Sequence, residues 1–108
     1  MLYEVITSII PSGGTDSDLV DFGNRAIAGL IIPAIDSAAL TFKAAAHHDN
    51  TPVPVKDKLL ALLTISAGTG ACAIDADSLV GLTGFRWVQI IAGVAQSAAR
   101  TFKWVVKG

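Results

Sequence analysis

The sequence predicts an all-β fold, a two-sheet antiparallel β-sandwich formed by one domain over residues 1–108. Short apolar runs alternate with clusters of Gly, Pro, Asp and Ser along most of the chain, which is typical of sandwiches and barrels. Residues 40–46 and 101–106 place their larger apolar side chains at every second position, which is the period of a strand. A chain of 108 residues that is 52% hydrophobic and 16% charged provides a single core.

The first part of the chain predicts three strands. Residues 2–10 are rich in β-branched side chains and are followed by a polar, turn-forming loop at 11–18. Residues 19–22 predict a short edge strand. Residues 26–32 are apolar on both faces, which indicates a central strand or one covered by a neighbouring subunit. Pro33 ends this strand because proline cannot donate to a ladder.

The second part predicts the remaining strands, about eight in all. Residues 40–46 show the clearest alternation, and 47–58, with two prolines and several charges, predict an exposed loop. Residues 59–65 favour a strand, with a helical turn as the alternative. The rest of the chain predicts a short strand at 71–74, followed by a helical turn at 75–78 before Gly81 and Gly84. It then predicts a strand at 85–91, a bend of small residues at 92–99 and a last strand at 101–106.

The alternating positions also predict the core. The bulky apolar side chains that share a face with other apolar residues are expected there, both tryptophans included. They are Tyr3, Val5, Leu30, Ile32, Leu40, Phe42, Trp87, Phe102 and Trp104.

Charge and composition exclude several functional classes. Eight Lys and Arg residues against nine Asp and Glu give a net charge of −1, so neither nucleic acid nor an anionic membrane is an expected partner. No apolar run is long enough to span a membrane, and the first four residues lack the basic region of a secretory signal. Cys72 is the single cysteine and is expected to pack as a small core residue. A weakly charged, apolar chain tends to associate, so we expect a subunit of an assembly.

Four short motifs carry chemistry in principle, and a structural explanation is favoured for each. His47, His48 and Asp49 are potential metal ligands or pH sensors, but neighbours along a strand point to opposite faces, so a solvated loop is expected. Asp16, Asp18 and Asp21 lack the spacing and the bidentate Glu of a calcium loop. Residues 68–73 fit a loose dinucleotide fingerprint, but no helix has room to follow it, so a hairpin turn is expected there. Trp87 and Trp104 suit sugar stacking, although both align with apolar partners.

We therefore expect no catalytic residue, no cofactor and no metal site. The sequence contains no G-x-S-x-G elbow, and Cys72 has no evident base near it in the sequence.

Three segments resemble small virion proteins of tailed bacteriophages and their prophages. The stretch DLVDFGNRAIAGLIIPAIDSAALTFKAAAHHD at 18–49 resembles a turn, an apolar strand ending in Pro and an alternating strand of that family. ACAIDADSLVGLTGFRWVQIIAG at 71–93 is similar to its second half, and AARTFKWVV at 98–106 to its last strand. The loop at 47–55 departs from the family, whose members carry Gly-rich and aromatic residues there, so nothing is carried over for it.

The resemblance implies a jelly-roll sandwich and a structural role in the virion. The expected function is a capsid decoration or cement protein, with the major capsid protein as partner and a homotrimer as the favoured oligomer on the virion surface. The alternative is a head-fibre or tail-associated module that recognises host glycans. The strand pattern alone leaves jelly-roll and immunoglobulin-like topologies open.

The candidate contact residues come from the first strand with its loop and from the small-residue segment at 92–99. Small side chains would let another backbone approach closely. These candidates are Tyr3, Val5, Ile9, Ile10, Pro11, Ala92, Val94 and Ala95.

Overall fold

A computed structural model describes residues 3–36, 38–56, 60, 62–68, 70–82 and 85–108. This part of the chain contains nine strands and one 3₁₀ helix. In chain order these are β1 (Tyr3–Ile10), β2 (Val20–Asp21), β3 (Ala26–Ile32), β4 (Ala38–Ala45), β5 (Val53–Pro54), β6 (Thr64–Gly68), β7 (Cys72–Asp75), the 3₁₀ helix (Asp77–Leu82), β8 (Trp87–Ala92) and β9 (Arg100–Lys107). No helix within these ranges is long and apolar enough to cross a membrane.

The strands form two antiparallel sheets in the nested order of a jelly roll. One sheet has the order β1-β9-β3-β7, and the other has β2-β8-β4-β5 with β6 also paired to β4. Strand β1 pairs with β9, β2 with β8, β3 with β7 and β4 with β6, all antiparallel. This nesting is that of a long antiparallel ribbon wound into a two-sheet sandwich. The predicted sandwich is therefore confirmed, and its topology is of the jelly-roll type.

Trp104 occupies the centre of the core between the sheets. Its ring makes edge-on contacts with Phe22 at 5.1 Å and with Phe42 at 6.2 Å between centroids, which is a favoured geometry for aromatic pairs. The indole Nε1–H donates to the hydroxyl of Ser8 at 3.2 Å, so the buried polar atom of the ring is satisfied. The predicted core positions Leu30, Ile32, Leu40, Phe42, Phe102 and Trp104 are all confirmed as buried.

Three predicted core residues lie on the outside instead. Tyr3 and Val5 are exposed, since the inner face of β1 carries Ile6, Ser8 and Ile10. The prediction was wrong because β1 is apolar on both faces, so its period does not distinguish them. Trp87 is half-buried and faces outward, because β8 directs Val88, Ile90 and Ala92 into the core.

Most predicted elements are confirmed, with two corrections. The segment 47–58 is not wholly an exposed loop, because Val53–Pro54 pairs with β4 and the next residue, Val55, is buried. The hairpin predicted at 68–73 is wrong, since β6 belongs to one sheet and β7 to the other. The chain therefore passes from one sheet to the other between β6 and β7. Thr69 lies outside the described residues. So do residues 57–59, 61 and Gly84, on which parts of the predicted loop, strand and turn fall.

Candidate interaction surfaces

The outer face of the β1-β9-β3-β7 sheet carries an exposed apolar patch. Tyr3, Val5, Ile9 and Ile31 are 63%, 59%, 45% and 43% exposed. In the register of the sheet, Val5 lies opposite Val105, and Val105 lies opposite Gly29. We call Tyr3, Val5, Ile9, Ile31 and Val105 the outer patch. Large exposed side chains that share one face indicate a contact surface more often than scattered ones do.

The outer face of the sheet has a depression where β3 carries small residues. β3 has an irregular register between Ile27 and Gly29, and a Cβ on Gly29 would lie 3.1 Å from the carbonyl oxygen of Ile74. Glycine fits here because the neighbouring strand approaches closely, and a larger residue would push that strand outward by a few tenths of an ångström. The resulting depression has a volume of about 530 Å³ and is lined by Tyr3, Gly29, Ile31 and Val105 among others.

The outer patch borders an open sheet edge. β1 pairs with β9 on one side, and no described strand pairs with its other side. On that side the carboxylate of Asp18 accepts the N–H of Ile9 at 2.8 Å. Since N–H groups alternate along a strand, those of Tyr3, Val5 and Thr7 face the same edge. Natural edge strands are usually protected by Lys, Pro or a bulge, and β1 has none of these between Tyr3 and Ile10.

The candidate contact residues divide into three groups in the structure. Tyr3, Val5 and Ile9 lie on the outer face, whereas Pro11, Val94 and Ala95 are exposed in loops at one end of the sandwich. The remaining two candidates, Ile10 and Ala92, are 0% and 3% exposed. Their side chains belong to the core, so these two candidates are corrected. The alternation of an apolar strand does not show which of its side chains turn inward.

The loops that carry Pro11 and Val94 are joined by backbone hydrogen bonds. The N–H of Gly13 donates to the carbonyl of Gln96 at 2.7 Å, and the N–H of Gln96 donates to the carbonyl of Gly14 at 3.0 Å. β1 leads directly into the first of these loops. The outer face and the loop end therefore form neighbouring surfaces, although their residues are far apart in the sequence.

Asp36 holds this loop end together. Its carboxylate accepts the backbone N–H of Ser97 at 2.6 Å and a guanidinium N–H of Arg100 at 3.1 Å, while its own N–H donates to the buried Gln96 side chain at 2.9 Å. The pKa of Asp36 is lowered, first by the Ser97 N–H and then by the Ser97 hydroxyl, with desolvation opposing and Arg100 assisting. This network orders 96–100, and no motif in the sequence indicated it.

A second exposed cluster surrounds Trp87 on the other sheet. Asp21 accepts two hydrogen bonds from the Arg86 guanidinium, at 2.8 and 3.1 Å, and the same guanidinium lies 5.5 Å from the Trp87 ring centroid. The His48 ring lies 5.7 Å from Trp87. The pKa of Asp21 is lowered chiefly by its hydrogen bond from Arg86. A half-buried aromatic ring flanked by polar groups is suited to stacking on a ligand.

The acidic residues at 16, 18 and 21, which were not expected to bind calcium, do not share a single site. The carboxylate of Asp16 accepts the hydroxyl of Thr15, that of Asp18 accepts the N–H of Ile9, and that of Asp21 pairs with Arg86. Each group has a different partner. Cys72 is partly buried against the core, in keeping with a packing role.

His47, His48 and Asp49 converge, contrary to the sequence argument. These residues lie in a turn after β4 rather than in a strand, and the N–H of Asn50 donates to the carbonyl of His47 at 3.0 Å. The rule that neighbours point to opposite faces therefore does not apply. Nε2 of His48 lies 2.8 Å from Oδ1 of Asp49, and Nδ1 of His47 lies 3.6 Å from Oδ2.

The comparison with solved structures identifies one similar fold. A prophage protein has the same architecture. The crystal structure of the SPBc2 prophage-derived protein YomS matches with a TM-score of 0.50, at 13% identity, over 98% of this chain and 95% of that chain. No protein-family model and no curated protein matches the sequence. At this identity the likeness to YomS is one of fold, and it extends over nearly the whole of both chains.

Proposed function

We propose that this chain is a structural virion protein that binds and stabilises an assembled phage capsid, as a decoration or cement protein. The observation that carries the proposal is the outer patch beside the open edge of β1. The similar fold of YomS, a prophage-derived protein, supports a phage origin. Jelly rolls are also a recurrent architecture of viral capsid proteins.

The chemistry of the outer patch suits a stable protein contact. Burial of apolar surface contributes roughly 25 cal/mol per Å² before the costs of association, and aromatic residues such as Tyr3 are enriched in interfaces. In the sheet register Lys103 of β9 lies between Thr7 and Ile31, and Lys107 lies opposite Tyr3. The surface therefore mixes apolar side chains with two lysines, as interfaces that are not wholly apolar do.

The proposed partners are the major capsid protein and further copies of this chain, with a homotrimer favoured. The open edge of β1 supports a strand-to-strand contact, because its outward N–H and C=O groups gain hydrogen bonds when another strand adds to the sheet. The protein would be made in the host cytoplasm and located on the capsid surface. The proposal assigns it no catalytic step, no cofactor, no nucleic acid and no membrane.

Co-sedimentation tests the capsid proposal. The purified chain is mixed with expanded and with precursor shells assembled from the major capsid protein of the same phage, and light scattering records the oligomeric state of the free chain. We expect saturable binding to the expanded shell, in proportion to its symmetry sites. A chain that stays in the supernatant with both shells would refute the proposal.

The second candidate is a head-fibre or tail-associated module that binds host glycans. The observation that favours it is the half-buried Trp87, which has Arg86 and His48 on its sides, whereas Trp104 is fully buried. A glycan array with the wild type and with Trp87→Ala tests this candidate. Binding that depends on Trp87, together with no capsid binding, would favour it over the cement role.

A further inference from the structure

The turn between β4 and β5 gathers three metal-ligating side chains that the capsid proposal does not use. One ligand atom each of His47, His48 and Asp49 lies within 4.8 Å of the other two. A four-coordinate zinc site has bonds of about 2.0–2.1 Å, which places neighbouring ligand atoms about 3.3 Å apart. The contacts of 2.8 Å from His48 and 3.6 Å from His47 reach different oxygens of Asp49, so these exposed side chains would rotate to bring one oxygen and two nitrogens onto a single ion.

We infer that His47, His48 and Asp49 form a binding site for a divalent transition-metal ion of the Zn²⁺ class. Two imidazole nitrogens and one carboxylate oxygen favour Zn²⁺, Ni²⁺ or Cu²⁺, because Mg²⁺ and Ca²⁺ prefer oxygen ligands throughout. Three protein ligands leave a fourth position for water or for a ligand from another molecule. The inference is independent of the capsid proposal.

The surroundings of the turn pre-position these ligands. The His48 ring lies 4.5 Å from the His47 ring and 5.7 Å from Trp87, and Trp87 is fixed in β8 opposite Ala45, the last residue of β4. The hydrogen bond from Asn50 to His47 closes the turn. The Asp49 carboxylate lies 2.8 Å from Nε2 of His48, and the backbone N–H of Asp49 donates to Nδ1 of His47 at 3.5 Å. A bound cation would replace these contacts and be coordinated by all three side chains.

Trp87 provides an internal reporter for the site. Cu²⁺ is paramagnetic and quenches indole fluorescence at short range, and it binds nitrogen and oxygen ligands more tightly than the other divalent first-row ions. Titration of the full chain with CuCl₂ is expected to quench Trp87 emission saturably at one ion per chain. ZnCl₂ in large excess is expected to displace Cu²⁺ and restore the emission, and calorimetry with ZnCl₂ alone is expected to give the same stoichiometry.

Variants separate this site from diffuse surface binding. His48→Ala and Asp49→Asn are each expected to weaken Cu²⁺ and Zn²⁺ binding about tenfold or more, since even the outer-shell partners of a metal contribute about that much. Glu4→Gln, which removes an exposed carboxylate of the other sheet, is the matched control and is expected to bind as the wild type does. Trp87→Phe is expected to lose most of the fluorescence response while calorimetry still records one Zn²⁺.

Three results would overturn the inference. Quenching that rises without saturation and is unchanged by His48→Ala indicates collisional contact only. An equal loss in Glu4→Gln indicates binding by scattered carboxylates. Absence of Zn²⁺ binding by calorimetry excludes the site directly. Far-UV circular dichroism confirms folding of each variant, and His47→Ala provides a further ligand deletion on the same exposed turn.

Discussion

Two matched valines test whether the outer patch is the capsid-binding surface. Val5 lies on the outer patch and is 59% exposed, while Val53 lies on the other sheet and is 61% exposed. Threonine retains the β-branched shape of valine and replaces one methyl group with a hydroxyl. Because both sites are exposed, Val5→Thr and Val53→Thr are each expected to change the free energy of unfolding by no more than about 0.5 kcal/mol.

The two variants are expected to differ in binding. Complete burial of a valine contributes roughly 1.5–3 kcal/mol, and the 59% of Val5 that is exposed leaves about 1–2 kcal/mol of that to be gained at an interface. Burial of an unpaired hydroxyl costs a similar amount. Val5→Thr should therefore weaken capsid binding about 5–30-fold, since 1.4 kcal/mol corresponds to a factor of ten, and Val53→Thr should leave it unchanged.

Co-sedimentation over a range of chain concentrations measures the two affinities, and urea unfolding measures the two stabilities. Equal capsid affinity for both variants, or a larger loss in Val53→Thr, would show that the reasoning about the outer patch is wrong. A large loss of stability in Val5→Thr would instead contradict its exposed position.

Three further predictions concern the core, the loop end and the aromatic cluster. Trp104→Ala should lower the free energy of unfolding by about 3–5 kcal/mol because it opens a cavity in the core; a loss below about 1 kcal/mol in urea unfolding would contradict the central position of this ring. Asp36 has a lowered pKa when folded, so its stabilising effect is present above its ordinary value of 3.8 and is lost as the pH falls through the folded value. Asp36→Asn should therefore be less stable near neutral pH and lose less stability than the wild type on acidification; parallel pH profiles of the urea midpoint would count against this. Acrylamide should quench Trp87 in the wild type and leave the emission of Trp87→Phe, which comes from the buried Trp104, largely unaffected; strong quenching in that variant would show that Trp104 is accessible.

Strand positions were largely predictable because alternation is a local property. The pattern around Phe42 and Trp104 gave both the strand and its buried face, since only one face of each carries large apolar groups. The buried faces of β1 and β8 were harder to predict. Val5 and Ile6 are both suitable for burial, and the choice depends on the partner strand, where Trp104 needs the hydroxyl of Ser8.

The candidate surfaces depend on contacts that no local pattern contains. Asp36 and Gln96 are 60 positions apart, yet they share a hydrogen bond. The three side chains at 47–49 were set aside with a rule for extended strands, whereas the turn in which they lie brings them together. Exposure of Tyr3 and Val5 could not be inferred from their apolar character, because the same character also suits a core.

The nested strand order has a consequence for how the protein folds. β9 follows all the other described strands in the sequence, yet it lies between β1 and β3 in its sheet. Until it emerges, β1 has no partner strand and Trp104, the central core residue, is missing. Pairing of strands so distant in sequence is slow, on the order of milliseconds to seconds for comparable β-folds, and exposed strand edges favour aggregation in the meantime. The nascent chain would therefore benefit most from chaperones until β9 is available, and deletion of β9 would be expected to yield insoluble protein rather than a smaller domain.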